Sequence, residues 1–145
     1  MSSIQLVRVT DQLPVGIPSL VADSSAEGVR NLGLLMGDWR AGARFDGAGE
    51  ALFTAFVDGR LVGLGAVTPC TDLPGAERMR RFYVSPAHRR SGVGQVLAAA
   101  AMQEGLQHAR VLTCNARASP AAAPFWESMG FKAASAAGYT HLFEG

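Results

Sequence analysis

Arg89-Arg90-Ser91-Gly92-Val93-Gly94-Gln95 is the stretch whose residue types and spacing do most for chemistry. Val93, Val96, Leu97, Ala100 and Ala101 follow at helical spacing, so a helix starts around Gly92. The first backbone N–H groups of a helix have no partner inside it and lie at its positive end. Gly92 and Gly94 leave the main chain bare, and Arg89 and Arg90 add charged donors beside it. Together these features suit an anion, and their extent suits a pyrophosphate.

Other phosphate-binding patterns fit less well. A Walker loop requires Lys and then Ser or Thr after its last glycine, whereas Gly94 is followed by Gln95-Val96. A dinucleotide fingerprint requires a third glycine or alanine where Leu97 stands. The run from Arg89 to Gly94, placed after Val84-Ser85-Pro86, instead resembles the acyl-CoA-binding signature Gln/Arg-x-x-Gly-x-Gly/Ala of the GNAT superfamily of N-acetyltransferases. A second resemblance lies at Phe125-Trp126 through Gly130-Phe131, where an aromatic pair, a polar turn and Gly-Phe close a helix.

The elements that must position these residues can be read from pattern. Ile4 to Val9 reads as a first strand, and Val29, Leu32, Leu35, Met36 and Trp39 repeat at helical intervals. This predicts a helix over Glu27 to Arg40, with a shorter one before it. Ala41 to Glu50 is a turn-rich loop. Leu52–Val57 and Leu61–Val67 are β-prone runs joined by Asp58-Gly59, a dipeptide suited to a tight hairpin. Pro69 to Gly75 reads as an exposed connection, Met79–Val84 as a buried strand and Val111–Asn115 as a short one. Ser119-Pro120 is a candidate helix cap, Pro124 should delay or kink that helix, and Gly130 is its C-cap before a strand opening at Phe131. Gly105 is expected to weaken the glycine-loop helix near its end, and Tyr139–Phe143 to form a last strand.

The order βααβββαβαβ(β) gives an α/β (α+β) class. It matches the GNAT fold, a mixed, mostly antiparallel sheet flanked by helices, over nearly the whole chain. A chain of 145 residues, 48% hydrophobic, is one domain with a sizeable core. A formal net charge of +1 gives no general drive toward nucleic acid or membrane. The cluster Arg78, Arg80, Arg81, Arg89 and Arg90 is therefore a local feature calling for a local anion. Cys70 and Cys114 lack metal-ligand spacing and disulfide density, so no metal is expected. The N-terminus lacks a leader pattern and no apolar run is long enough to span a bilayer, which leads us to expect a soluble cytoplasmic protein.

The resemblance implies acetyl-CoA as acyl donor and an amine, on a small molecule or a protein, as acceptor, with a homodimer as a candidate assembly. It implies that the pyrophosphate takes donors from Arg89, Arg90, Ser91, Gly92, Val93, Gly94 and Gln95, and that the pantetheine arm runs along Phe82, Tyr83 and Val84. Asn115 has two readings, a partner for pantetheine amides or a strand-ending turn residue. Trp126 stands where many members carry a tyrosine that protonates the departing thiolate, a proton transfer that indole cannot perform. Tyr83 and Tyr139 are the remaining phenols, and neither is assigned the role. Glu77 is the nearest carboxylate to the family's general-base position, but reads as a solvated strand-end charge. Neither a base nor an acid is assigned, and a weak acyl-CoA-binding sensor or scaffold is the alternative to an enzyme. Trp39, Arg40, Arg44, Phe45 and Asp46 fall in the segment that lines the family's acceptor groove, Trp39 more as core than as contact.

Overall fold

A computed structural model describes residues 3–145. In chain order the elements are β1 (Ile4–Arg8), α1 (Ile17–Ala26), α2 (Asn31–Arg40), β2 (Ala51–Val57), β3 (Arg60–Pro69), β4 (Glu77–Val84), α3 (Val93–Leu106), β5 (Val111–Cys114), α4 (Ala122–Ser128), β6 (Lys132–Ala133) and β7 (His141–Glu144), with a single 3-10 turn at Pro86–His88. The seven strands form one mixed sheet in the order β1-β2-β3-β4-β5-β7-β6. All neighbours are antiparallel except β4 and β5. The fold is thus the mixed, mostly antiparallel sheet flanked by helices that the sequence predicts.

Asp58 and Gly59 both take positive φ, 51° and 78°, which is the backbone a two-residue hairpin needs. Two helices precede β2 as expected, but they are of equal length, and the second opens at Asn31 rather than Glu27: Pro18 sits in the first turn of α1, where a missing N–H costs nothing, and Gly28 at φ 74° separates α1 from α2. Ser119 does not cap α4 with its side chain; the helix opens at Ala122, with Ala121 as its N-cap, so that Pro124 falls within its first turn. Cys70 is buried rather than exposed, and its N–H donates to Ala76 O at 2.9 Å.

Two cores lie on opposite faces of the sheet. Met79, Val93, Leu97, Ala101, Leu112 and Trp126 fill the face under α3 and α4. Ile17, Leu20, Leu32, Leu35, Leu64 and Tyr83 fill the face under α1 and α2. Gly105 proves to be a packing residue: a Cβ there would lie 2.9 Å from Leu112 Cδ2 and 3.2 Å from Val67 Cγ2, so glycine lets α3 lie flat on the sheet.

One irregularity shapes the centre. Leu64 pairs with Tyr83 and Ala66 with Arg80, so Gly65 faces two residues of β4, Arg81 and Phe82, and Arg81 takes φ 62°. This is a β-bulge. A side chain on Gly65 would overlap the Phe82 ring, which crosses over it.

Candidate functional site

The parallel ladder between β4 and β5 has three rungs, Glu77 with Leu112, Arg78 with Thr113 and Met79 with Cys114. Past them and past the bulge, β4 continues beside β3 but no longer beside β5. Ser85 N–H donates to Val62 O at 2.8 Å, so by strand alternation Tyr83 also turns its main chain toward β3. Phe82 and Val84 turn theirs to the open side. Two side chains meet them there: Asn31 Nδ2 donates to Phe82 O at 2.7 Å, and Arg89 Nε to Val84 O at 3.1 Å.

The open edge leads into the glycine loop. Ser85 Oγ and His88 Nδ1 lie 2.9 Å apart, the Ser91 hydroxyl donates to His88 O, and Arg90 and Gly92 take φ 63° and 90°. Gly92 is the residue before α3, and Val96 N–H makes the first α-type bond back to its carbonyl at 3.0 Å. The amides of Val93, Gly94 and Gln95 are thereby left outside the helix ladder. A Cβ on Gly92 would find only Ile4 Cδ1, at 3.9 Å, whereas one on Gly94 would press on Phe125 Cε1 at 3.2 Å. Gly92 keeps the mouth of the loop open, and Gly94 lets α3 approach α4. Val93 buries its side chain, while Arg90, Ser91 and Gln95 are exposed.

Arg89 is already engaged. Its Nη1 and Nη2 reach Glu27 Oε2 and Oε1 at 2.7 and 2.5 Å, and its guanidinium carbon lies 5.5 Å from the Tyr83 ring centre. Tyr83 Oη donates to Glu27 Oε1 at 2.5 Å. Hydrogen bonds from Arg89 first and Tyr83 second hold the Glu27 carboxyl below its ordinary range. Burial and then the same bond push the Tyr83 phenol well above its ordinary value, so this hydroxyl is a committed donor to Glu27. Glu27 and Asn31, which carry no motif, tie the α1–α2 turn to the end of β4.

The remaining arginines gather elsewhere. Strand alternation turns Arg78 and Arg80 away from α3, and the bulge lets Arg81 join them toward α2, where Arg81 Nε reaches Asp38 Oδ2 at 2.9 Å. Arg78 Nη1 lies 3.6 Å from Asp72 Oδ2. Arg80 has no ion pair, and the Nε atoms of Arg78 and Arg80 are buried without a hydrogen-bond partner among the described residues. Burial, and then Arg81 and Arg78 beside it, lower the Arg80 guanidinium from its ordinary value.

On the α3–α4 side, Trp126 is 5% exposed and edge-packed against Phe82, Phe125 and Phe131 with centroids 4.8, 5.0 and 5.1 Å away. Its place is a packed aromatic cluster. Asn115 Oδ1 accepts from Arg117 N–H at 3.2 Å, the turn arrangement that was one of its two readings. Beyond it, Ala116 N–H donates to Thr140 Oγ1 at 2.8 Å, and the buried His141 ring lies 2.8 Å from Thr140 Oγ1 through Nδ1 and 2.8 Å from Glu127 Oε2 through Nε2. This network joins the ends of β5, β7 and α4.

Glu77 corrects an expectation. It is 3% exposed, not solvated, and its Oε1 has no partner among the described residues. A Cβ on Gly105 of α3 would lie 3.4 Å from Glu77 Cβ, so this side chain is on the face opposite Arg78 and Arg80. Burial above all pushes its carboxyl up to about 7, with His108 opposing and Glu104 and Glu50 adding.

Residues 20–142 match the family model for the acetyltransferase (GNAT) domain. The chain belongs to the GNAT family. Its fold is similar to that of a proposed acetyltransferase from Exiguobacterium sp. 255-15, with a TM-score of 0.89 and 26% identity over 98% of this chain and 93% of that one. The PaiA N-acetyltransferase of Thermoplasma acidophilum, solved with coenzyme A, superposes with a TM-score of 0.67 at 14% identity, covering 99% of both chains. N-acetylglutamate synthase of Neisseria gonorrhoeae, solved with coenzyme A and N-acetyl-glutamate, gives a TM-score of 0.70 at 13% identity over 99% of this chain and 35% of that one. No curated protein matches the sequence.

Within this GNAT domain, the residues singled out from sequence fall into two groups. Phe82 to Val84 and Arg89 to Gln95 form one continuous edge and loop, whereas Asn115 has a turn role at the end of β5 and Trp126 a core role against Phe82. Glu27, Asn31, Thr140 and His141 escape sequence reasoning because each acts through a partner distant in the chain. Among the described residues, no helix is long and apolar enough to cross a membrane, and no group of three or more His, Cys, Asp or Glu side chains is placed to hold a metal.

Proposed function

We propose that the protein transfers the acetyl group of acetyl-CoA to a primary amine. The observation that carries this reading is the edge of β4 past Met79, unpaired toward β5, which leads directly into a left-handed glycine and the free amides of a helix start. An extended acyl-pantetheine arm would lie along Phe82 to Val84 and exchange hydrogen bonds with main chain that Asn31 and Arg89 now occupy. Its pyrophosphate would meet the amides of Val93, Gly94 and Gln95, with Arg90 and Ser91 exposed beside them. Gly92 leaves the space that this approach requires.

In the reaction the amine nitrogen forms a bond to the thioester carbon, the carbon–sulfur bond breaks, and coenzyme A leaves as a thiolate that takes up the proton the amine loses. An alkylamine has a pKa of about 10.4, so a proton must leave before attack. Glu77 is buried under α3 beside the closed rungs of the β4–β5 ladder and Trp126 is packed in core, so neither fits the base or acid role. A route through water is the reading these positions favour. They also support a second reading, an acyl-CoA-binding sensor with little turnover. A free-thiol assay over an amine panel, run beside acetyl-CoA calorimetry, separates the two: tight binding with no amine accelerating thiol release supports the sensor.

A further inference from the structure

The five arginines that looked like one cationic cluster are two clusters, and acetyl-CoA accounts for only one. Arg89 and Arg90 belong to the glycine loop. Arg78, Arg80 and Arg81 lie on the α2 side of β4, at and just past the last rung that joins β4 to β5. Among the described residues, three guanidinium groups there face two carboxylates, Asp38 on Arg81 and Asp72 on Arg78, leaving one positive charge unmatched. Arg80 is that charge.

A guanidinium keeps its charge under all ordinary conditions, so a partly buried one without a carboxylate partner needs another anion. Arg80 has two more cations for neighbours, which raises the cost of leaving it unmatched. Its place in the strand is also informative. The bulge that separates β4 from β5 begins at the next residue, so Arg80 stands where the opening starts, on the face away from the Trp126 cluster.

We propose that the acceptor is a primary amine bearing a second, anionic group, a carboxylate or a phosphate, which Arg80 receives on the α2 side of the opening with Arg78 beside it. The inference rests on the acetyl-transfer reading, because that reading places the reacting carbon in the opening. Arg80 holds the anionic end while the amine faces the thioester, so the residue sets specificity and takes no part in the proton transfers. Arginine suits the role because its planar fork can meet two oxygens of either anion at once.

The test uses matched amines: glycine against glycinamide, glutamate against glutaminamide (both carboxylates amidated), O-phosphoethanolamine against ethanolamine, and spermidine as a cationic control. In the wild-type protein the anionic member of at least one pair should have a kcat/KM about 10- to 100-fold above its neutral sibling, the range of a charge-assisted contact. Whether the carboxylate or the phosphate pairs show it identifies the anion. Arg80→Gln should erase that difference by raising KM for the anionic amine, with KM for acetyl-CoA and rates with neutral amines unchanged. Arg80→Lys should restore part of it, which a purely structural role would not. Equal rates within each pair, or a preference for spermidine untouched by Arg80→Gln, would overturn the inference while leaving acetyl transfer standing. If no amine is acetylated, the transfer reading fails instead. Calorimetry of glutamate and O-phosphoethanolamine with the coenzyme A complex then decides: binding that Arg80→Gln abolishes supports the anion site, and no binding overturns it.

Discussion

Arg89 and Glu27 meet through two hydrogen bonds, of 2.7 and 2.5 Å, that join the α1–α2 turn to the end of β4. A residue expected to grip phosphate is thus already paired, while its neighbour Arg90, at φ 63°, is exposed and has no carboxylate partner among the described residues. Arg90→Ala should therefore weaken acetyl-CoA binding by about one to two decades, and Arg89→Ala by far less. Calorimetry on both variants checks the order, and the reverse order would show that the cofactor draws Arg89 off Glu27. Because the Arg89–Glu27 pair is partly exposed, solvent screens it and its own contribution to stability should be small.

Glu77 gives a prediction in pH. Its carboxyl sits at about 7 in the folded chain against 4.5 for the free group, so between those values the folded state holds a proton that the unfolded state has released. The stability from this group is fully present below pH 4.5, falls as pH rises toward 7, and stays lost above it. Glu77→Gln should remove that dependence and stabilise the protein at pH 8 by roughly 1–3 kcal/mol, with little change at pH 4.5. Urea titrations at the two pH values measure it. The same variant should keep its kcat/KM, and a collapse of kcat would return Glu77 to the list of bases.

Trp126 fills a cluster of three rings, so it is not a vacant position for a proton donor. Trp126→Tyr should lower thermal stability by a large-to-small core cost, roughly 1–3 kcal/mol. It should add no ionisation to the alkaline limb of kcat against pH. A raised kcat with a new alkaline ionisation would contradict the packing role.

Gly92 and Gly94 should respond differently to the same change. Gly92→Ala meets open space but a backbone at φ 90°, at a cost of roughly 1–2 kcal/mol, and its methyl projects into the mouth of the loop. Gly94→Ala meets Phe125 and strains the approach of α3 to α4. Acetyl-CoA affinity should therefore fall more for Gly92→Ala than its stability does, and Gly92→Val should show the loss more strongly. Paired calorimetry and thermal melts distinguish the two positions.

The architecture was legible in sequence wherever the signal was local. Asp58-Gly59 names its own turn, and Gly92 its own conformation at the start of α3. The glycine loop was legible for the same reason, since a left-handed glycine and the free amides of a helix start are written in consecutive residues. What could not be read is whatever depends on the two faces of β4. The bulge at Arg81 shifts the alternation in mid-strand, so no simple period assigns Arg80, Arg81 and Phe82 to their sides. Glu77 looks like a strand-end charge in one dimension and is buried only because Gly105 brings α3 down over it. Glu27 and Asn31 gain their roles from partners more than fifty residues away.

The three-rung ladder between β4 and β5 also bears on how the chain comes apart. Among the described residues it is the only strand pairing that connects the β1–β4 group with the β5–β7–β6 group, which the Thr140–His141–Glu127 network fastens to its own helix. Shearing those rungs would leave both leaves with their internal ladders intact. Native-state hydrogen exchange should then resolve two cooperative units, with β5 and β7 opening at lower free energy than β2 and β3. Acyl-CoA wedged between the leaves would raise the lower value toward the upper one, so a ligand held largely by main chain would also act as the missing rungs of the sheet.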